Sequence, residues 1–184
     1  NLKDNFKNWD ELAELTPHKI EKYINIAGLG KQKSNAIYEL LQSLKKKEKS
    51  VSLDYIKTKN DKDILDELTS YNGVGVKTAS CVLLFSLGRN VCPVDTHVHR
   101  TINRIGLVKT NNPEKTFYQI VDYIPEGTAH SFHTNLIRLG REICKSTNPI
   151  CSICPLKKIC KFELKDFKEK KLYKKLDFML LDNL

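Results

Sequence analysis

The chain has 184 residues, 40% hydrophobic and 29% charged, with a formal net charge of +9 at neutral pH. That composition suits one sizeable core or two small ones and argues against a disordered chain, and no apolar run approaches the ~20 residues a membrane-spanning helix needs. The basic excess suits a polyanionic partner, nucleic acid before an anionic membrane surface.

Most of the chain reads as helix. Between 10 and 24, Leu12, Leu15, Ile20, Tyr23 and Ile24 recur at helical spacing, interrupted at Thr16-Pro17, a cap followed by a first-turn proline. Gly28-Leu29-Gly30 marks a turn, and a helix follows from about Lys31 to Leu44 with Ile37, Leu40, Leu41 and Leu44 on one face. Residues 45–50, KKKEKS, read as a charged surface connection. Ile64, Leu65 and Leu68 predict an amphipathic helix over 61–71, and Asn72-Gly73-Val74-Gly75 predicts a tight hairpin. Lys77 opens an apolar helix through Leu87 that ends at Gly88 as its C-cap. Residues 95–106, 113–124 and 129–143 read as further helices, and strands should be scarce because few stretches alternate with period two. The tail 161–184 is lysine-rich, and Phe167, Leu172, Leu176 and Met179 suit a frayed amphipathic helix as well as a solvated tail.

Cys144, Cys151, Cys154 and Cys160 are spaced C-x6-C-x2-C-x5-C. Each short loop returns the next sulfur toward the same point, so the four suit one metal centre; spacing alone leaves a zinc ion and an iron–sulfur cluster both open. Lys145, Lys157, Lys158 and Lys161 flank them, which suggests a pinned surface facing phosphate. No secretory signal is evident, so stable disulfides are the less favoured use of these thiols. Cys81 and Cys92 lie outside the run and read as core. His97, His99, His130 and His133 are not paired at convincing ligand spacing; His97 and His133 are expected to hydrogen-bond within the fold.

The hairpin and its surroundings carry a second chemistry. Glycines permit positive φ and leave the backbone bare, and the helix behind them presents N–H groups and the positive end of its dipole. Together these make a phosphate-sized anion site. Lys77 sits at that helix start, where like-signed partial charge favours the neutral amine; with partial shielding from water it becomes a Schiff-base nucleophile. Asp95, in Pro93-Val94-Asp95-Thr96-His97, stands at the predicted start of another helix, as an N-cap or as a carboxylate beside the preceding helix. An amine and a carboxylate are a minimal kit for displacing a base from a sugar, the one attacking and the other stabilising positive charge.

These pieces resemble the endonuclease III branch of the helix–hairpin–helix DNA glycosylases. The resemblance rests on Gly73-Val74-Gly75-Val76-Lys77-Thr78-Ala79, Pro93 to His97, His133 to Gly140-Arg141 and the cysteine run, in the family's order, over roughly residues 5–162. It implies an all-α, two-lobed fold and a [4Fe–4S] cluster on Cys144, Cys151, Cys154 and Cys160. It further implies Lys77 as nucleophile, Asp95 as acidic partner, and DNA binding through Gly73, Val74, Gly75, Lys77 and Thr78. The expected partner is double-stranded DNA with damaged bases or abasic sites, in a reducing, DNA-containing intracellular compartment, bound by a monomer with no membrane contact. The expected organisation is a glycosylase domain over 1–128, a cluster domain over 129–162 and a basic tail over 163–184.

The chain departs from the family pattern in places. Asn72 stands where proline is usual, and Val76 where a polar residue is common. The KSTNPI loop between Cys144 and Cys151 is less basic than is typical. The family's additional N-terminal helices, one with a glutamine-containing segment that fills the space of the flipped base, are not found in residues 1–30, so a truncated or shortened member is expected. The competing readings are a non-catalytic, metal-stabilised DNA-binding module, a monofunctional adenine mismatch glycosylase, which lacks the lysine, and a zinc protein of another class.

Overall fold

Helix is the only regular structure among the residues described, 2–24, 28–48, 50–165 and 167, in this computed structural model. The chain divides into two units, Asn1–Ala79 and Ser80–Leu184.

In the first unit α1 (Leu2–Asn5) precedes α2 (Trp9–Ala13), whose start is a reciprocal cap. Asn8 Oδ1 accepts from the Glu11 amide at 2.9 Å, and Glu11 Oε2 accepts from the Lys7 amide at 3.0 Å. α3 (Pro17–Ile24) begins at Thr16-Pro17 as expected. α4 (Gly30–Glu48) is the long element, and its Leu41 and Leu44 join Leu12, Ala13, Ile20 and Val51 in one buried cluster. α5 (Asp61–Thr69), capped by Asn60, buries Ile64, Leu65 and Leu68.

The expected surface connection at 45–50 is a correction: helix continues through Glu48. Lys45 pairs with Glu14 and Lys47 with Glu67, so the charges that read as a linker are anchored by acids on other segments. Lysines in a last turn also meet the negative end of the helix dipole.

α6 (Val76–Cys81) crosses the division between the units and widens into a π-helical turn over Val82–Ser86. Leu87 N–H donates to Val82 O at 3.1 Å and Arg89 N–H to Leu83 O at 2.9 Å, and Gly88 ends the segment at φ +65°. The second unit continues with α7 (Thr96–Ile105), α8 (Pro113–Ile120) and α9 (Ala129–Glu142). The helix predicted over 113–124 leaves α geometry at Ile120 and tightens to a 3₁₀ turn at Val121–Tyr123. α7 and α9 cross closely at Gly140, where an added Cβ would stand 2.9 Å from His97 Cβ and 3.2 Å from Thr101 Oγ1. The approach to α7, Val91 to Val94, is wholly buried. His133 Nδ1 donates to Pro93 O at 2.8 Å, and the Asn90 side chain bonds Ile124 O, Pro125 O and the Ala129 amide. Cys92 is core, its thiol pKa pushed up to about 12 mainly by burial, whereas Cys81 is half-buried. The tail predicted over 161–184 lies outside the described residues except for 161–165 and 167.

Glu67 is the charge centre of the first unit. Its carboxylate accepts from Lys47 Nζ, from Lys59 Nζ at 2.5 Å and from Tyr55 Oη at 2.6 Å. Burial alone would raise its pKa; the three donors overrule it and hold the carboxyl at about 2, against 4.5 ordinarily. With the folded pKa below the unfolded one, the ionised group stabilises the fold above the unfolded pKa. That contribution is lost as pH falls from about 4.5 toward 2. Glu67→Gln is expected to lower stability at neutral pH and to flatten the acid-side loss. Urea unfolding at neutral pH and near about pH 3 measures both; a variant that tracks wild type at each pH removes Glu67 from this role.

Candidate functional site

The hairpin is built by the backbone. Val74 N–H donates to Tyr71 O at 3.1 Å, and Gly73 takes the left-handed region at φ +78°. A Cβ on Gly73 would lie 2.5 Å from Ala36 Cβ, so this glycine answers both a conformational and a packing demand. Gly75 has neither: its φ is ordinary and a Cβ would meet nothing within 4 Å. Gly75 O accepts from Thr78 N at 2.9 Å and Ala79 N at 3.0 Å and so starts α6. Asn72, in the position where proline was expected, donates through Nδ2 to Glu39 Oε2 at 2.6 Å and fastens the turn to α4. Tyr71 is half-buried, its hydroxyl 3.4 Å from that of Tyr55. Gly73, Gly75, Lys77 and Thr78 are exposed and Val74 half-buried. Lys77 is thus the second residue of α6 with an exposed side chain; the shielding that the sequence reading asked of it is not provided by its surroundings here.

Asp95 belongs to the second unit and caps α7. One oxygen, Oδ1, accepts from both the His97 amide at 2.9 Å and the Val98 amide at 2.8 Å. The cap therefore uses a single carboxylate oxygen and leaves Oδ2 outside it, so capping and chemistry do not compete for the same atom.

Cys144, Cys151, Cys154 and Cys160 are free thiols lining one pocket with Ile143, Ile150 and Phe162. Burial raises the Cys154 pKa, and neighbouring Cys144, Cys160 and Cys151 raise it further, as expected where ionised sulfurs share one space. No three His, Cys, Asp or Glu side chains among the described residues gather at single-ion distance. Four thiols around one pocket are a donor set that suits a thiolate-bound metal centre.

α7 supplies the frame for this loop. Arg100 donates through Nε to Cys144 O at 3.0 Å and through Nη2 to Gly140 O at 2.8 Å. Arg104 donates to Lys145 O at 2.6 Å and Ser146 O at 2.9 Å, lies 3.6 Å from Cys144 Sγ and stacks 4.2 Å over the Phe162 ring. Lys161 N–H closes the far end on Arg104 O at 3.1 Å and Ile105 O at 3.2 Å. Both arginines thus serve backbone carbonyls. Their i, i+4 spacing shows that they share a helix face; the carbonyls they meet lie some forty residues on and leave no local signal.

Residues 1–126 match the HhH-GPD superfamily of base excision DNA repair proteins. The chain belongs to that family. It is 35% identical over 157 residues to endonuclease III of Thermotoga maritima, covering 85% of this chain and 70% of the relative. Endonuclease III of Rickettsia felis is 35% identical over 161 residues, 88% of this chain and 71% of the relative. The solved "Structure of a non-covalent Endonuclease III-DNA Complex" superposes with a TM-score of 0.71 at 25% identity, over 87% of this chain and 71% of that one. The all-α HhH-GPD fold of a base excision repair enzyme is therefore the fold of this chain. No helix among the described residues is long and apolar enough to cross a membrane.

The two hairpin glycines generate a contrast. Gly73→Ala combines a left-handed residue, about 1–2 kcal/mol, with overpacking against Ala36, about 1–3 kcal/mol. It is expected to destabilise the first unit by about 2–5 kcal/mol, whereas Gly75→Ala is expected to be near neutral. Chemical denaturation followed by circular dichroism measures both, and equal effects would show that Ala36 yields to the methyl group.

Proposed function

We propose that the chain is a bifunctional DNA glycosylase and AP lyase. It removes damaged pyrimidines, oxidised ones foremost, from double-stranded DNA and cuts the strand 3′ to the abasic site. What carries the reading is the hairpin: in a chain of the base excision family, it delivers Lys77 to the second position of α6 with an exposed side chain. The named relatives are endonuclease III enzymes, one solved with DNA, which supports DNA as the partner.

Gly73, Val74, Gly75, Lys77 and Thr78 grip a backbone phosphate, through bare amides and the N-terminal end of α6. The damaged nucleotide leaves the stack more readily than a normal one because damage has weakened its stacking or pairing. The Lys77 amine then forms a bond to C1′ while the C1′–N bond to the base breaks, and the departing base carries the electron pair and takes a proton. Asp95, as the acidic partner, balances the positive charge that develops on the sugar. Loss of a proton from nitrogen and ring opening leave a protonated imine. That electron sink acidifies C2′; removal of its proton expels the 3′ phosphate and cuts the strand. An activated water in place of the amine would stop at the abasic site.

A [4Fe–4S] cluster, generally associated with the endonuclease III family, is the group that fits Cys144, Cys151, Cys154 and Cys160. Bound there, it cross-links the ends of the loop that Arg100 and Arg104 brace on α7. The functional partition that goes with this reading is 1–128 for excision, 129–162 for the cluster and 163–184 as a basic tail, in a monomer working in a reducing, DNA-containing compartment inside the cell.

A duplex with one abasic site, treated with protein and borohydride, avoids guessing the lesion. A covalent protein–DNA band is expected from wild type and none from Lys77→Ala, with Asp95→Asn reduced by about 10²-fold or more, the lower end of what a positioned catalytic carboxylate supplies. Absence of a band from folded, cluster-loaded protein that still binds the duplex would leave the non-catalytic DNA-binding module as the reading.

A further inference from the structure

The segment that leads the chain to Asp95 is fastened to its surroundings by two polar side chains. Val91, Cys92, Pro93 and Val94 are buried, where a carbonyl left unpaired is costly. Asn90 ties the start of the segment: its Oδ1 accepts from the Ala129 amide at 3.1 Å, and its Nδ2 donates to Ile124 O and Pro125 O. His133 of α9 ties the end. Although polar it is only 3% exposed, and its Nδ1 stands 2.8 Å from Pro93 O. A carbonyl only accepts, so Nδ1 carries a proton whatever the charge of the ring. The Cys92 thiol also reaches Pro93 O, at 3.6 Å, but a thiol is a weak donor. The imidazole is restrained in turn by Phe85 of the π turn, which meets it edge-on at 5.6 Å.

The carbonyl that His133 holds lies two residues before Asp95. Proline has a fixed φ and no N–H, so this carbonyl is the one polar backbone group of Pro93. Holding it sets the plane of the peptide between Pro93 and Val94, and the Val94 side chain is sunk in the core. Asp95 follows in extended backbone, at φ −94° and ψ −175°, and its Oδ1 takes the His97 and Val98 amides. The backbone of Asp95 is thus fixed by α7 on one side and by the plane that His133 holds on the other.

We propose that His133 is a positioning residue for Asp95: through Pro93 O it fixes where the carboxylate stands. The inference rests on the reading of Asp95 as the acidic partner of Lys77. A carboxylate that answers charge on a sugar tolerates little displacement, since an error of about 1 Å costs on the order of 10²-fold in rate. A histidine that only packed the interior would lower stability without acting through Asp95.

The test uses the full, cluster-loaded chain and a duplex with one abasic site. His133→Phe keeps a ring beside Phe85 and removes the donor, whereas His133→Asn returns a donor near the place of Nδ1. Single-turnover strand cleavage by His133→Phe is expected to slow about 10- to 100-fold, with duplex affinity within about 3-fold of wild type, and His133→Asn is expected to recover most of the rate. In an Asp95→Asn background His133→Phe is expected to cost less than about 3-fold, because the group it positions has gone. Hydrogen exchange gives a readout without DNA: the His97 and Val98 amides are expected to exchange about 10-fold faster in His133→Phe, with Ile102 unchanged. Should His133→Phe not fold, His133→Gln, whose donor stands one bond further out, replaces it with the same expectations. A wild type that cuts no abasic site and traps no adduct fails the lyase reading, and the exchange comparison then decides the positioning by itself. A wild-type rate in His133→Phe overturns the proposal. So does a loss that multiplies in full with Asp95→Asn, a His133→Asn as slow as His133→Phe, or exchange that rises along the whole of α7.

Discussion

The close crossing of α7 and α9 at Gly140 is the constraint on which the second unit depends. Without a side chain at that point, the His97 and Thr101 face of α7 comes within contact of the α9 backbone, and only then does Arg100 reach Gly140 O and Cys144 O. Arg104, one turn on, continues the same row of bonds along the cysteine loop. One helix thus presents Asp95 at its start and holds the thiol pocket along its length. The carboxylate and the four thiols share a single reference because both are hung on α7.

The first unit rests on a different kind of contact. There the hairpin is pressed against α4 at Ala36 and fastened by the bond from Asn72 to Glu39, and α4 in turn closes the core through Leu41 and Leu44. Glu67 gathers lysines from α4 and from the turn before α5 around one carboxylate, so the basic excess of this chain is partly spent inside the unit rather than offered to a polyanion. Net charge read from composition overstates the charge available to DNA for that reason.

Much of this was legible in the sequence, where local chemistry decides local structure. Thr16-Pro17 opening α3, the hairpin after α5 and the Asp95 cap of α7 all rest on residues within a few positions of the feature they create. The errors lie where distant partners decide. The lysines at 45–47 read as a linker because Glu14 and Glu67 are out of sequence view. The π turn at Val82–Ser86, whose Phe85 ring meets His130 and His133 edge-on, is likewise not reported by periodicity. The family likeness was carried by motifs in a fixed order, and the run C-x6-C-x2-C-x5-C does place four thiols on one pocket. Asn72 shows the limit of pattern matching, since its departure from proline turned out to supply a bond that proline cannot make.

The bonds that seat the cysteine loop join residues 40 to 44 positions apart, and the far end, where the Cys160 thiol lies beside Arg104 O, is 56 positions away. Contacts of such separation form late in folding, because the chain must close a long loop before any of them is rewarded. The helices, whose bonds are local, arise first and wait. The seating of the thiol pocket therefore depends on two arginine side chains of α7 that lie outside the cysteine run.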